Sequence, residues 1–245
     1  MDAEGKRLRE LALRAAHTGE LVCTRFLEPP EEVSARAAAN AAGCLVAFEG
    51  GYALAERRMA GFFTGDAPAP EDFPLRRILA AWDARYGSVG HRDLLGALMG
   101  LGLARETMGD IAFAQEGAVL FVHQDVAEYV LSNLESAGRV KLRLRACGPE
   151  IAPAEPRGAR VVRTAPSTRL DAVLAAACDL SRQEAQSMVR AGLVKRNHVP
   201  ETRGDARLEP GDIVSARGLG RFRLDSVGDA SRKGRLRLGL FVYGK

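Results

Sequence analysis

An α+β fold in several parts follows from three observations on the 245 residues. Two proline-rich polar stretches interrupt the chain, at Gly65-Asp66-Ala67-Pro68-Ala69-Pro70 and from Gly148-Pro149 through Pro156-Arg157-Gly158. Such composition joins domains rather than building them. The segment between them carries apolar patterns in the order β-α-β-β-α-β. After the second break come two short helices, then strands in which arginine alternates with apolar residues. The breaks divide the chain into a small α/β part (1–64), a plait (71–147), a linker (148–159) and a helix pair with a basic β tail (160–245).

In the first part, Leu8, Leu11, Ala12 and Ala15 fall at helical spacing. Val22 to Leu27 reads as a strand, a helix opens after Pro29-Pro30, and Leu45 to Phe48 runs as a strand into a Gly50-Gly51 turn. That turn calls for positive φ, or for close approach of another backbone. In the middle part, Phe73 to Trp82 alternates as a strand, with a helix as the alternative. His91-Arg92-Asp93 opens a helix through Leu94, Leu95, Leu98 and Met99, with Asp93 near its positive end. Ile111 to Phe113 and Ala118 to Val122 flank Gln115-Glu116-Gly117 as a hairpin. Val126 to Ser136 reads as a helix stopping at Gly138, and Val140 to Leu144 as the last strand. The order matches an open-faced, RNA-recognition-like plait, without the usual stacking aromatics.

In the last part, Thr168-Arg169-Leu170-Asp171 sets a capping hydroxyl three residues before an acid, and Ser181-Arg182-Gln183-Glu184 repeats the device. Leu170, Val173, Leu174 and Ala177 make the first buried stripe; Ala185, Met188 and Val189 make the second, with Gly192 as its cap. Arg182, Gln186 and Arg190 step by four along the other side, beside Gln183. A strand carries Lys195, Arg196 and Asn197, and Glu209-Pro210-Gly211-Asp212 turns into Ile213-Val214. In the tail, Arg221 and Arg223 alternate with Phe222 and Leu224, and Arg235 and Arg237 with Leu236 and Leu238. A hairpin through Ser226 to Gly234 would put four arginines on one side.

Charge agrees with this pattern. The net is +4, yet residues 157–245 hold 18 Lys/Arg against 9 Asp/Glu, while 1–156 hold 17 against 22. A basic end on a mildly acidic body suits a polyanion, although a solvated basic surface has the same composition. Guanidinium groups pair bidentately with phosphates, and Gln or Asn adds bonds to sugars and bases. The residues expected to contact RNA are Arg169, Arg182, Gln183, Gln186, Arg190, Lys195, Arg196, Asn197, Arg221 and Arg223.

No apolar run approaches the ~18 residues of a membrane span, and the charged start Met1-Asp2-Ala3-Glu4-Gly5-Lys6-Arg7 is unlike a signal peptide. A cytoplasmic protein without a membrane partner is expected. Cys23, Cys44, Cys147 and Cys178 lie far apart and read as free, mostly buried thiols. His17, His91, His123 and His198 are scattered, so no metal is expected.

The stretches Arg169-Leu170-Asp171, Ser181-Arg182, Ala191-Gly192-Leu193-Val194-Lys195 with Asn197, and Pro210-Gly211-Asp212 resemble the ribosomal-protein-S-four type, or alpha-L, RNA-binding domain. His198 departs from it, since many members carry Gly there. Phe48-x-Gly50-Gly51-Tyr52-x-x-Ala55-Glu56-Arg57, His91-Arg92-Asp93 with Leu95 to Gly102, Gly109-Asp110-Ile111 and Gly218-x-Gly220-Arg221-Phe222 resemble the bacterial YlmH family. That resemblance implies a non-catalytic cytosolic factor on the large ribosomal subunit, contacting ribosomal RNA and tRNA during rescue of stalled nascent chains. It also implies a link to cell division.

No enzyme signature stands beside these motifs. Gly218-Leu219-Gly220 lacks the third glycine and the helix of a nucleotide-binding loop. His91-Arg92-Asp93 shares its letters with a kinase catalytic loop, but the other kinase motifs are missing. No catalytic residue, cofactor or small-molecule substrate is expected. Two other readings stay open: an RNA-modifying enzyme with its site in 1–147, and a protein-interaction adaptor, linked to cell division, whose basic end is incidental.

Overall fold

A computed structural model describes residues 3–154, 158–230 and 234–244. Its contacts form two units, Met1–Ala154 and Glu155–Lys245.

The first unit opens with α1 (Ala3–Thr18), β1 (Val22–Leu27), α2 (Glu31–Ala42), β2 (Leu45–Glu49) and β3 (Arg58–Phe63). The strands form an antiparallel sheet in the order β1-β3-β2. Leu8, Ala12 and Ala15 of α1 meet Ala35, Ala38 and Ala39 of α2, small side chains that let the helices lie close. The sequence reading passes over β3, and the reason is its place. Every residue from Met59 to Phe63 is buried, so the strand shows a continuous apolar run instead of alternation.

The plait follows as β4 (Leu75–Ala81), α3 (His91–Gly100), β5 (Met108–Ala114), β6 (Gly117–His123), α4 (Gln124–Asn133), β7 (Ser136–Ala137), β8 (Val140–Lys141) and β9 (Arg143–Ala146). Its antiparallel sheet runs β5-β6-β4-β9, with the first and third plait strands central. The Asp93 carboxylate accepts the Gly90 N–H at 2.8 Å, which makes His91-Arg92-Asp93 a helix start. Two expectations need correction. Helix α4 ends at Asn133; Gly138, at φ 59, makes the turn between β7 and β8. The run expected as one strand from Val140 to Leu144 changes partners at Leu142, whose N–H donates to the Glu135 carbonyl.

A third correction concerns the sheet face. Helices α3 and α4 cover one side through Ile78, Ala80, Leu120 and Val122. The other side, which an open-faced plait would offer to RNA, is closed. Leu79, Val119 and Phe121 are at most 1% exposed and pack with Phe26, Met59 and Phe73. The β1-β3-β2 sheet has an apolar face of its own to hide, and two such faces meeting remove both from water.

The motif around Gly50-Gly51-Tyr52 builds this contact. Gly51, at φ +89, lies so flat on Phe121 that a Cβ would fall 2.3 Å from the ring. Tyr52 stacks on the same ring with centroids 5.0 Å apart and donates its hydroxyl to Asp110 at 3.0 Å. Asp110 also accepts the N–H groups of Glu56 at 2.7 Å and Arg57 at 3.2 Å. The Arg57 side chain is buried, donates to the Met108 carbonyl at 2.9 Å and pairs with Glu28. Burial, then repulsion from Arg105, lowers its pKa to about 10, which leaves it charged at neutral pH.

The second unit holds β10 (Gly158–Ala165), α5 (Leu170–Ala177), α6 (Arg182–Arg190), β11 (Val194–Arg196), β12 (Val199–Pro200), β13 (Ile213–Ala216), β14 (Gly220–Ala230) and β15 (Leu236–Tyr243). All pairings are antiparallel, in the order β10-β15-β14-β13-β11-β12. Leu170, Val173, Leu174, Ala185 and Val189 pack the helices onto Val194, Val214, Phe222, Leu224, Leu238 and Leu240. Strand β10 falls partly in the expected linker. The hairpin expected through Ser226 to Gly234 is narrower: Ser226 pairs with Gly239 and Ala230 with Leu236, so β14 runs on to Ala230. The segment 231–233 lies outside the described residues.

Trp82 is the single tryptophan and touches Phe113, so its fluorescence reports the first unit. Gly51→Ala adds a methyl group against Phe121 and strains a positive φ. We expect a loss of about 2–4 kcal/mol in urea unfolding followed by Trp82. A change below ~0.5 kcal/mol contradicts the packing described.

Candidate nucleic-acid interface

The two helices of the second unit are held by one carboxylate. Asp171, in the first turn of α5, is fully buried. It accepts from Arg169 at 3.1 and 3.2 Å and from Gln186 Nε2 at 2.9 Å, and pairs with Arg182 at 3.4 Å. Burial alone would raise its pKa; the bonds from Arg169 and Gln186 and the charges of Arg182 and Arg169 outweigh this and lower it. The Arg169 and Arg182 side chains remain 38% and 49% exposed. Arg169, Asp171, Gln186, Arg190, Gly204 and Asp205 line an open cleft of about 320 Å³.

Thr168 does not cap α5. The N-cap is Arg169, with no side-chain cap bond, and the N–H groups of Leu170 and Asp171 donate to the carbonyls of Ala206 and Gly204. A returning loop thus supplies the acceptors that a capping hydroxyl would. At α6 the expected capping box is present, while Gln186, expected on the outer side, is half-buried against Asp171. Ser181 Oγ accepts the Glu184 N–H at 3.2 Å, and the Glu184 carboxylate accepts the Ser181 N–H at 2.8 Å. Ala185 and Val189 are buried, Met188 is half-buried, and Arg182, Gln183 and Arg190 are exposed.

The register separates the remaining candidates from this cleft. Val194, Val214, Phe222 and Leu224 face the helices. Their neighbours Lys195, Ser215, Arg221 and Arg223 therefore face the other side, where Lys195 is paired with Ser215 and Ser215 with Arg221. The basic residues of α6, of β11 and of β14 do not converge on one groove. They make two surfaces, the helix cleft and the sheet's far face. On that far face Arg221 lies 4.1 Å from the centroid of Tyr243, and Arg223 lies 5.5 Å from Phe241. Arg160 and Arg237 belong to the same face by register, since Arg160 pairs with Phe241 and Arg237 with Gly228. Of the four tail arginines, the register puts Arg221, Arg223 and Arg237 on this face, whereas Arg235 precedes β15 and donates to the Thr164 carbonyl at 2.7 Å. The sequence reading omits Arg160 because strand β10 carries no clean alternation.

Besides Arg169, Arg182 and Gln186 on Asp171, three further candidates have internal partners. Arg196 pairs with Asp212 at 2.7 Å. Asn197 donates to Asp212 at 2.7 Å and accepts the Ile213 N–H at 2.8 Å. Arg223 donates to Asp225 at 2.6 Å. Asn197 and His198 sit at φ 48 and 70, the left-handed pair of a two-residue hairpin turn. His198 therefore adopts the shape that Gly gives elsewhere, despite its side chain.

Residues 2–61 match the family model for the YlmH N-terminal domain, 68–149 that for a putative RNA-binding domain in YlmH, and 168–214 that for the S4 domain. The chain is 36% identical over 221 residues to the "Ribosome-associated protein quality control protein P2" of Bacillus subtilis (strain 168), covering 88% of this chain and 84% of that one. The chain belongs to the YlmH family. A solved structure, the "Cell division protein ylmH from Streptococcus pneumoniae", aligns at a TM-score of 0.49 and 18% identity, over 61% of this chain and 94% of that one. Within the YlmH frame, the cleft around Asp171 lies in the S4 domain, while Arg221 and Arg223 lie beyond its matched residues. Among the described residues no group of three or more His, Cys, Asp or Glu is placed to hold a metal ion, and no helix is long and apolar enough to cross a membrane.

Asp171→Asn keeps the shape and removes the charge that gathers two arginines. Because both arginines are partly solvated, we expect a loss of about 1–3 kcal/mol at pH 7, read by amide exchange across 170–190. The lowered pKa makes this stabilisation full above the usual carboxylate range and lost as pH falls through the folded value. The variant should therefore show a flatter acid limb below about pH 4. An unchanged limb contradicts the role given to Asp171.

Proposed function

We propose that this chain is a non-catalytic RNA-binding factor acting at the ribosome in the cytoplasm. In this reading it binds structured ribosomal RNA and tRNA on the large subunit while stalled nascent chains are rescued. The observation that carries the reading is the cleft in the S4 domain, where buried Asp171 fixes Arg169 and Arg182 with part of each side chain in solvent. Two guanidinium groups held against one internal carboxylate present donors to phosphates at fixed spacing. Exposed Arg190 and Gln183 extend that edge of α6. The Bacillus subtilis relative is named a ribosome-associated quality-control protein, which supports the ribosome as the place of action.

Sedimentation of the purified chain with large ribosomal subunits at rising salt tests this. If four to six phosphates are neutralised, log affinity falls with log salt at a slope of roughly −3 to −5. Binding that ignores salt overturns the RNA reading. Arg182→Ala with Arg190→Ala should flatten the slope by about one unit for each phosphate no longer neutralised. RNA recovered after incubation should carry no new modified nucleotides, and finding any would overturn the non-catalytic assignment.

A further inference from the structure

The centre of the plait's sheet face is closed by Leu79, Val119 and Phe121, so an RNA contact by the first unit is confined to the rim or to another surface. Residues 139–145 read Arg-Val-Lys-Leu-Arg-Leu-Arg, four of the nine Lys/Arg in 71–147 within seven residues and with no acid among them. Arg139 ends the turn before β8, the chain is extended from Val140 through β8 and β9, and β9 is an edge strand. Val140 and Leu142 are buried in the plait core and Leu144 packs against it. Arg139, Lys141, Arg143 and Arg145 are all exposed, and the register sets Arg143 and Arg145 beside Ala81 and Leu79, at the β9 margin of the sheet.

Partners elsewhere do not consume these charges. Most plait arginines are occupied: Arg76 bonds to Gln124, Arg77 to the Ile151 carbonyl, Arg85 to Asp83 and Arg105 to the Met108 carbonyl. Among the described residues, Arg139, Lys141 and Arg143 have no ion pair. Asp83, whose charge feels Arg143, is already held by Arg85 at 2.6 Å. Arg145 meets Glu116 at 3.2 Å, but both are more than half exposed, and such a pair exchanges readily for another anion. One charge suffices to guard an edge strand against pairing with another chain. It does not account for four of one sign, whose mutual repulsion is a cost that a polyanion would relieve.

We infer that Arg139, Lys141, Arg143 and Arg145 form a second RNA contact, on the outer edge of the plait, that tracks a sugar-phosphate backbone. Alternate residues of an extended chain stand roughly 6.6 Å apart, so Lys141, Arg143 and Arg145, with Arg139 at the turn before them, space their charges for successive phosphates and are indifferent to base identity. This inference rests on the RNA-binding reading above and adds to it a site in the first unit.

The test compares the full chain with Arg139→Ala/Lys141→Ala/Arg143→Ala and with Arg182→Ala/Arg190→Ala. Each binds protein-free ribosomal RNA from the large subunit, and intact large subunits, across a salt series. The triple variant should flatten the slope by about two to three units on both, since each phosphate contact contributes about 0.7–0.9. Trp82-monitored unfolding should be unchanged, and Arg139→Lys/Arg143→Lys should bind like the parent. A triple variant that matches the parent on both, while the α6 double variant is weakened, overturns the edge site and leaves the RNA-binding reading standing. Weakening on intact subunits alone points to a ribosomal protein and also overturns it. If the parent binds neither probe in a salt-dependent way, both readings fall.

Discussion

A carboxylate removed from water must collect donors or give up its charge. Among the described residues, buried Asp171 and Asp212 and half-buried Asp110 meet that demand, and much of the structure is arranged around how they do so. Asp110 gathers the Tyr52 hydroxyl and the N–H groups of Glu56 and Arg57. Asp171 gathers Arg169, Arg182 and Gln186. Asp212 gathers Arg196, Asn197 and the N–H of Glu209. In each case residues distant in sequence are tied at one point: loop to strand, helix to helix, turn to turn. The first knot closes the β1-β3-β2 sheet over the plait, and the second sets the arginine geometry of the S4 cleft.

Closure of the plait changes what its topology means. The β-α-β-β-α-β order is usually read as a platform whose central strands stack bases. Here the ring on that platform, Phe121, lies under Gly51 and Tyr52. The fold is retained as a scaffold, and polar surface is left at its rims. The same separation of scaffold from surface recurs in the second unit, where the sheet divides the basic residues between a helix cleft and a far face.

What could be read from the sequence was local. The Ser181–Glu184 capping box, the helix start at Asp93, the stripes of α5 and α6 and the Arg221–Leu224 alternation need only a few neighbouring residues, and each stands where the pattern puts it. What could not be read depends on contacts across the chain. Strand β3 hides because both its faces are covered. Thr168 loses its capping role to carbonyls more than thirty residues away. Arg196, Asn197 and Arg223 look available until Asp212 and Asp225 are placed beside them. Likewise the Gly50-Gly51-Tyr52 motif is visible as a motif, but its use requires Phe121 to be in position. The ribosome enters through family resemblance alone.

The sharing of Arg169 and Arg182 with Asp171 also bears on selectivity among the many polyanions of a cell. An arginine cluster with no internal counter-charge projects a long-range field and adheres to any nucleic acid that drifts near. Half-neutralised by a buried acid, the same two side chains project little at a distance and act at contact range, where the angles of their N–H groups decide. On the RNA-binding reading proposed above, a surface of that kind gives up speed of capture for discrimination, passing over loose RNA and holding where a folded backbone meets its fork.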